Sequence, residues 1–85
     1  MTRYQVEMTD TFGGEANYCW VRRATIDAVS IDRTPNAARI SKLIKRAKEE
    51  LGIVGRHIVT MCDPDMIRID MQGAALCIFI YPEET

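Results

Sequence analysis

The first third of the chain shows the alternation of apolar and polar residues that is typical of half-buried strands. From Arg3 to Thr9 the alternation is strict, which predicts a first strand. Asp10 to Gly14 predicts a turn, because its paired glycines adopt positive φ without steric cost. Tyr18 to Val29 is rich in aromatic and β-branched residues and predicts a second strand, paired with the first as a hairpin. Its alternation is interrupted at Arg22 and opposed by Cys19 and Val21, which indicates either a bulge near Arg22 and Arg23 or a strand covered on both faces.

The middle of the chain has the apolar spacing of an amphipathic helix. Thr34 and Pro35 predict its start, since a threonine hydroxyl caps free N–H groups and proline suits the first helical position. Gly52 predicts its end, because a left-handed residue commonly closes a helix. The predicted buried stripe recurs at spacings of three and four residues and consists of Ala37, Ile40, Leu43, Ile44, Ala47 and Leu51. The opposite side is mainly charged.

Three further β-prone segments follow the helix. Arg56 to Met61 predicts a short strand or an extended loop. Met66 to Met71 alternates, a tight turn follows at Gln72 and Gly73, and Ala74 to Tyr81 is almost entirely apolar, which together predict a second hairpin. Because the last run is apolar on both parities, we expect it to lie in the centre of the sheet or under a partner chain. If a partner chain covers this run, that partner is expected to be a second copy, so a homodimer is a further expectation.

The predicted order of elements is therefore ββα(β)ββ. An apolar helix stripe needs a flat apolar surface to cover, and one face of an antiparallel sheet supplies it. We therefore expect a single α+β domain over residues 1–85, with one amphipathic helix packed on one face of the sheet. The other face carries mixed side chains and stays open to a partner, and Trp20 is expected to anchor the hairpin in the core.

The charge is balanced overall but unevenly distributed. Eleven Lys and Arg residues stand against twelve Asp and Glu residues, which argues against a generalist nucleic-acid binder and equally against an acidic mimic of DNA. Between residues 39 and 56, cations predominate, whereas from residue 57 onward the charged residues are mostly acidic. We therefore expect a dipolar surface.

Cysteine usage and hydropathy indicate the cellular compartment in which the protein is expected. Cys19, Cys62 and Cys77 cannot all pair with one another, and none stands in a Cys-x-x-Cys spacing. The chain shows no charged-then-apolar leader and no apolar run of about 20 residues that would cross a membrane. These features favour free thiols and the cytoplasm of a host cell, without membrane contact. Within the apolar final run, Cys77 is expected to be a small core residue.

Enzyme chemistry has one weak candidate in this sequence. His57 and Cys62 lie five residues apart beside Asp63 and Asp65, and cysteine catalysis needs a thiolate activated by an imidazole that a third group orients. At that spacing on a strand the two side chains point to opposite faces. A single histidine and scattered cysteines provide no zinc framework, and no phosphate-binding loop is present. We expect no catalysis, no metal and no cofactor.

One stretch of the sequence resembles a known group of proteins. Residues 9–23, TDTFGGEANYCWVRR, are similar to the opening of a family of short uncharacterised proteins encoded by bacteriophages and proteobacterial prophages. The resemblance continues through residues 46–55 and 65–68, and it carries over no catalytic residues. It implies a phage context, in which small proteins without enzyme motifs are often inhibitors of host machinery. In size and in lacking such motifs, the chain is similar to anti-CRISPR proteins.

These observations favour a phage or prophage accessory protein that binds a host protein or ribonucleoprotein complex and inhibits it sterically. The predicted partner-binding residues lie on the hairpin and on the exposed side of the helix, and they are Glu15, Asn17, Arg22, Arg23, Arg39, Lys42 and Arg46. The alternative is a small nucleic-acid-binding regulator that uses the basic helix face. That alternative also draws on the neighbouring aromatic and arginine residues of the hairpin, a mixture suited to stacking on single strands.

Overall fold

The computed structural model describes residues 2–12, 15–28, 37–63 and 65–83, with the backbone alone described at positions 12, 15, 17, 18 and 19. In this part of the chain, five strands and one helix follow one another in the order ββαβββ, which confirms the α+β class. The elements are β1 (Thr2–Phe12), β2 (Glu15–Ala28), α1 (Ala37–Leu51), β3 (His57–Asp63), β4 (Met66–Met71) and β5 (Leu76–Pro82).

The strands form one antiparallel sheet in the order β2-β1-β5-β4-β3. The last strand of the chain, β5, therefore lies in the centre, between β1 and β4. This position accounts for the apolar residues on both faces of β5, because α1 covers one face and side chains of the two neighbouring strands flank those on the other, where Cys77 is buried and Phe79 and Tyr81 are partly buried. Of the two predicted alternatives the central position is the correct one, so the composition of β5 no longer argues for a partner chain.

The core lies between α1 and one face of the sheet. Rows of apolar residues cross the strands, because residues directly opposite each other in the ladder share a face: Val6, Ile80 and Ile67 form one row, and Met8, Ile78 and Ile69 the next. The helix covers these rows with its predicted stripe, of which Leu43, Ile44, Ala47 and Leu51 are buried and Ile40 is partly buried. Ala37, which was also predicted to belong to the stripe, is exposed at the first position of the helix.

The helix ends as predicted, at a glycine. Gly52 has φ of +71°, its N–H donates to the carbonyl of Glu49 at 3.1 Å, and the N–H of Ile53 donates to the carbonyl of Lys48 at 2.9 Å. This pair of bonds is the Schellman motif, which satisfies carbonyl groups that the end of a helix otherwise leaves free. The predicted helix start at Thr34 and Pro35 lies outside the described residues.

The first hairpin is longer than predicted. β1 continues to Phe12 rather than ending at Thr9, and β2 already begins at Glu15. The irregularity predicted near Arg22 and Arg23 lies directly before them. The register shifts between Thr9 and Thr11 on β1, which on β2 corresponds to the interval from Ala16 to Val21.

A side chain stabilises this irregularity. The Thr9 hydroxyl donates to the carbonyl of Trp20 at 2.8 Å, so a buried threonine supplies the hydrogen bond that the interrupted ladder does not. Trp20 itself is 44% exposed, which contradicts its predicted role as a core anchor. The alternative prediction, a second strand covered on both faces, is wrong, because several side chains of β2 are exposed.

The second half of the sheet follows the predicted order with shifted bounds. The segment predicted as strand or loop is a strand, and it runs on to Asp63. β4 has the predicted bounds. The predicted tight turn is a longer connection, Gln72 to Ala75, in which Gly73 has φ of +80°. The described residues contain no helix that is long and apolar enough to cross a membrane.

Candidate partner-binding surfaces

The exposed side of α1 carries four cations, which we call the cationic face: Arg39, Lys42, Lys45 and Arg46. The apolar stripe fixes this arrangement, since burial of one side of the helix turns the opposite side toward solvent. Spacings of three and four residues place Arg39, Lys42 and Arg46 along one side of the helix. The structure therefore brings the three predicted helix residues together on one surface.

The cations of α1 differ in how they are paired. The Arg46 Nη1 atom lies 3.0 Å from Glu50 Oε2, one helical turn away. Lys48, beyond the cationic face, donates from Nζ to the carbonyl of Gly55 at 2.6 Å and lies 3.2 Å from Nδ1 of His57. Within the described part of the chain, no hydrogen bond or ion pair involves Lys42 or Lys45. These two lysines are the cations of the face that are most available to an anionic partner.

The two predicted hairpin arginines lie on opposite faces of the sheet. Arg22 lies opposite Met8, whose side chain is in the core, whereas Arg23 lies opposite Glu7 on the other face of the sheet. Both arginines are exposed, and Nε of Arg23 is 3.5 Å from Glu7 Oε1. The side chains of the predicted contact residues Glu15 and Asn17 lie outside the described residues. Strand alternation, which places neighbouring residues on opposite faces, thus separates the predicted arginine pair.

The face of the sheet opposite the helix is held together by pairs of its own side chains. The Tyr81 hydroxyl donates to Glu7 Oε1 at 2.6 Å, and this bond, together with burial, raises the pKa of Tyr81. Arg68 lies 3.1 Å from Asp70 and stacks over Phe79, with 5.6 Å between guanidinium carbon and ring centroid. The mixed face that was predicted to stay open is therefore internally paired along β4 and β5.

A second exposed surface, which sequence reasoning missed, is the apolar edge strand β3. Every side chain from Ile58 to Asp63 is exposed. Ile58, Val59 and Met61 are 51%, 42% and 50% exposed, and together with Trp20 and Val54 they are the exposed large apolar residues of the described part of the chain. The available signal was the β-prone composition of Arg56 to Met61. It did not show that this segment would lie at an edge, which only the strand order reveals.

The one predicted constellation resembling a nucleophilic site does not assemble. A bulge between Val59 and Met61 places His57 opposite Met71 and Cys62 opposite Ile67, both of which are buried under the helix. His57 and Cys62 therefore share a face, contrary to the prediction, but four positions of β4 separate them, roughly 13 Å along the strand. Burial and the nearby Lys48 ammonium lower the pKa of His57.

The other polar groups give no sign of a metal site or a reactive thiol pair. Among the described residues, no three His, Cys, Asp or Glu side chains are grouped so that they could hold a metal ion. Cys62 is free and exposed, and Cys77 is free and fully buried, as predicted for a small core residue; burial raises the pKa of its thiol. The two described thiols therefore lie in different environments.

A cavity of about 310 Å³ opens between the end of α1 and the start of β3. Its lining combines aliphatic side chains with the polar ends of helix residues and consists of Ser41, Lys45, Lys48, Glu49, Ile53, Val54, Gly55 and His57. Lys48 bridges the two sides through its bonds to Gly55 and His57. The cavity is therefore bordered by both the end of α1 and the start of β3.

Comparison of the chain with protein families, with curated proteins and with solved structures finds no match. The resemblance of residues 9–23 to phage proteins therefore stays a prediction. Within the described part of the chain, the cationic face of α1 and the exposed strand β3 are the surfaces that bear most directly on function.

Proposed function

We propose that this protein is a phage or prophage accessory protein that binds a host protein or ribonucleoprotein complex through the cationic face of α1 and blocks it sterically. One observation carries the proposal: α1 holds five cations and two carboxylates in a chain whose net charge is −1, and its Lys42 and Lys45 have no partner within the described residues. The exposed side of α1 is thus positively charged, although the chain as a whole is slightly acidic.

The geometry suits recognition of an anionic surface. A helix packed on a sheet by a buried stripe presents its cations at fixed spacing, so little conformational entropy of the backbone is lost on binding. Lysines without internal partners raise the rate of encounter with an oppositely charged surface and exclude positively charged ones. The proposal assigns the protein a steric role and no catalytic step.

The second candidate, nucleic-acid binding, has one feature in its favour. The cations of α1 follow one another along the helix with no acidic residue between Ala37 and Lys48, a pattern that could follow a row of phosphates. It predicts binding that weakens steeply as salt rises, because phosphate contacts release condensed counterions. The acidic remainder of the chain works against it, since net charge −1 gives no general attraction to a polyanion.

A pair of charge-matched variants tests the proposal. Lys42→Gln/Lys45→Gln removes two positive charges from the cationic face, whereas Thr25→Glu/Gln72→Glu adds two negative charges at exposed positions elsewhere. Both change the net charge equally, so only the position of the change differs. Each protein is cross-linked in lysate of a bacterial host, and the captured complex is quantified by mass spectrometry and then assayed for inhibition.

We expect the wild type and the Thr25→Glu/Gln72→Glu variant to capture and inhibit the same complex, and the lysine variant to lose at least about tenfold in capture, the effect of about 1.4 kcal/mol of binding energy. Equal capture by both variants, or capture without inhibition, contradicts the proposal. Binding to single- or double-stranded oligonucleotides that falls steeply between about 50 and about 200 mM salt, and is lost in the lysine variant, supports the second candidate instead.

A further inference from the structure

We infer that β3 is a self-association surface, at which a second copy of this chain pairs antiparallel with the free edge of the strand. Among the described residues β3 is the last strand of the sheet, so its backbone pairs with β4 on one side and no described strand lies on the other. Unpaired N–H and C=O groups at a sheet edge are a template for another strand. The inference is independent of the cationic face of α1.

Side chains along β3 lack the features that normally prevent such pairing. Edge strands are usually protected by charged residues, often lysine, or by proline. From Ile58 to Cys62 there is neither a charge nor a proline, and three of these five residues are large, apolar and about half exposed. The remaining protective feature is the bulge between Val59 and Met61, which interrupts the ladder but leaves apolar residues on both sides of it.

The charges at the two ends of β3 indicate that the partner strand belongs to a second copy of the same chain. Arg56 precedes β3, and Asp63 and Asp65 end it and follow it; all three are exposed. In an antiparallel pair related by a two-fold axis near Thr60 and Met61, the Arg56 end of each copy lies beside the aspartate end of the other. A parallel pair would place like charges together. The strand is therefore complementary to itself in one orientation, which is the requirement of an isologous interface.

The same pairing also covers the apolar centre. The two-fold axis brings Ile58, Val59 and Met61 of one copy beside the same strand of the other, and it removes from water part of the apolar surface that folding leaves exposed. An interface built from one short strand per copy is small, so we expect a weak dimer that exchanges with monomer.

Sedimentation velocity over about 1 µM to about 1 mM protein tests the inference, because this range brackets the affinities of small interfaces. The wild type should shift with concentration from the mass of one 9.7 kDa chain toward that of two. Met61→Lys should raise the dissociation constant at least about tenfold, since it introduces the usual edge protection at an exposed position. Thr25→Lys, the same change at an exposed position of the other edge strand, should leave it unchanged.

A charge exchange between copies identifies the orientation. Arg56→Glu alone and Asp63→Lys/Asp65→Lys alone should each dimerise more weakly than wild type, because each places like charges at both ends of the pair. Mixed in equal amounts they should recover wild-type association, since both ends are then complementary. A chain that stays monomeric throughout, a dimer unaffected by Met61→Lys, or a mixture no tighter than its components overturns the inference. Circular dichroism confirms that each variant is folded.

Discussion

The two edges of the sheet are built differently, although both are long strands of the same chain. β2 exposes Arg22, Arg23, Thr25 and Asp27, while its Ile26 is 2% exposed and belongs to the core. β3 exposes apolar side chains, and its inward-facing Val59 is 42% exposed. The helix accounts for part of the difference, because it lies close to β2 and covers that side of the sheet.

This contrast shows that one helix does not cover five strands. At the β2 end, the helix buries the inner face and charged residues protect the outer one, so the edge is complete within one chain. At the β3 end neither condition holds. Apolar residues at an uncovered edge are costly in water, and their exposure is best explained by a second surface that covers them. The first two predictions each compare a position on β2 with one on β3, and the last concerns the start of β3 alone.

The largest effect is expected from shortening an inward-facing side chain at each edge. Ile26→Ala removes buried methyl and methylene groups beneath the helix and should lower the free energy of unfolding by about 3 kcal/mol. Val59→Ala removes groups that are already half exposed and should lower it by less than about 1 kcal/mol. Urea unfolding of dilute protein, below the range of self-association, measures both. Equal losses would show that the two edges are packed alike.

A smaller effect is expected from the two strand threonines. The Thr60 hydroxyl donates to Asp70 Oδ2 at 2.7 Å beside the bulge, whereas the Thr25 hydroxyl lies 3.4 Å from Gln5 Oε1. Thr60→Val should therefore cost about 1 kcal/mol in unfolding free energy, and Thr25→Val close to nothing, because valine keeps the β-branch and removes only the hydrogen bond. A Thr25→Val loss as large as that of Thr60→Val would contradict this ranking of the two bonds.

The smallest effect concerns pH and is confined to the start of β3, since His57 is the single histidine of the chain. Burial and Lys48 lower its pKa, so the folded state favours the neutral imidazole. Below the ordinary value of 6.5 the unfolded chain takes up a proton before the folded one does. The contribution of His57 to stability is therefore complete above pH 6.5 and is lost as the pH falls through the lowered pKa.

Replacing the lysine tests the cause of that shift. Lys48→Met removes the positive charge beside the ring and should raise the pKa of His57 part of the way toward its ordinary value, leaving the share due to burial. Titration of the imidazole resonances by NMR measures this directly. Lys45→Met, also on the cavity lining, serves as the control and should change the pKa less, because that lysine makes no described bond to the ring.

The sequence predicts most of the fold because its periodic segments are unambiguous. The stripe from Ile40 to Leu51, the glycine that closes the helix, and the strand Met66 to Met71 depend on local patterns, and all three are confirmed. The extent of β1 and β2 was missed because Thr9 and Trp20 form a hydrogen bond across the irregular part of the hairpin. No local pattern encodes that bond.

The binding surfaces were less predictable than the fold. Arg39, Lys42 and Arg46 share one side of α1 because helical spacing is regular, so their clustering could be read from the sequence. Arg22 and Arg23 were grouped by proximity in sequence, but alternation along β2 separates them. The exposure of β3 depends on the strand order, which places β5 rather than β3 beside β1, and on which strands the helix covers.

Amide hydrogen exchange, followed residue by residue at low and at high protein concentration, tests the difference between the two edges most directly. We predict that backbone amides on the free edge between Ile58 and Cys62 exchange more slowly at high concentration, while those of Arg23 to Asp27 in β2 exchange equally at both. Exchange in β3 that does not depend on concentration, or slowing of the same size in β2, would contradict the claim that β3 is the edge that a second copy covers.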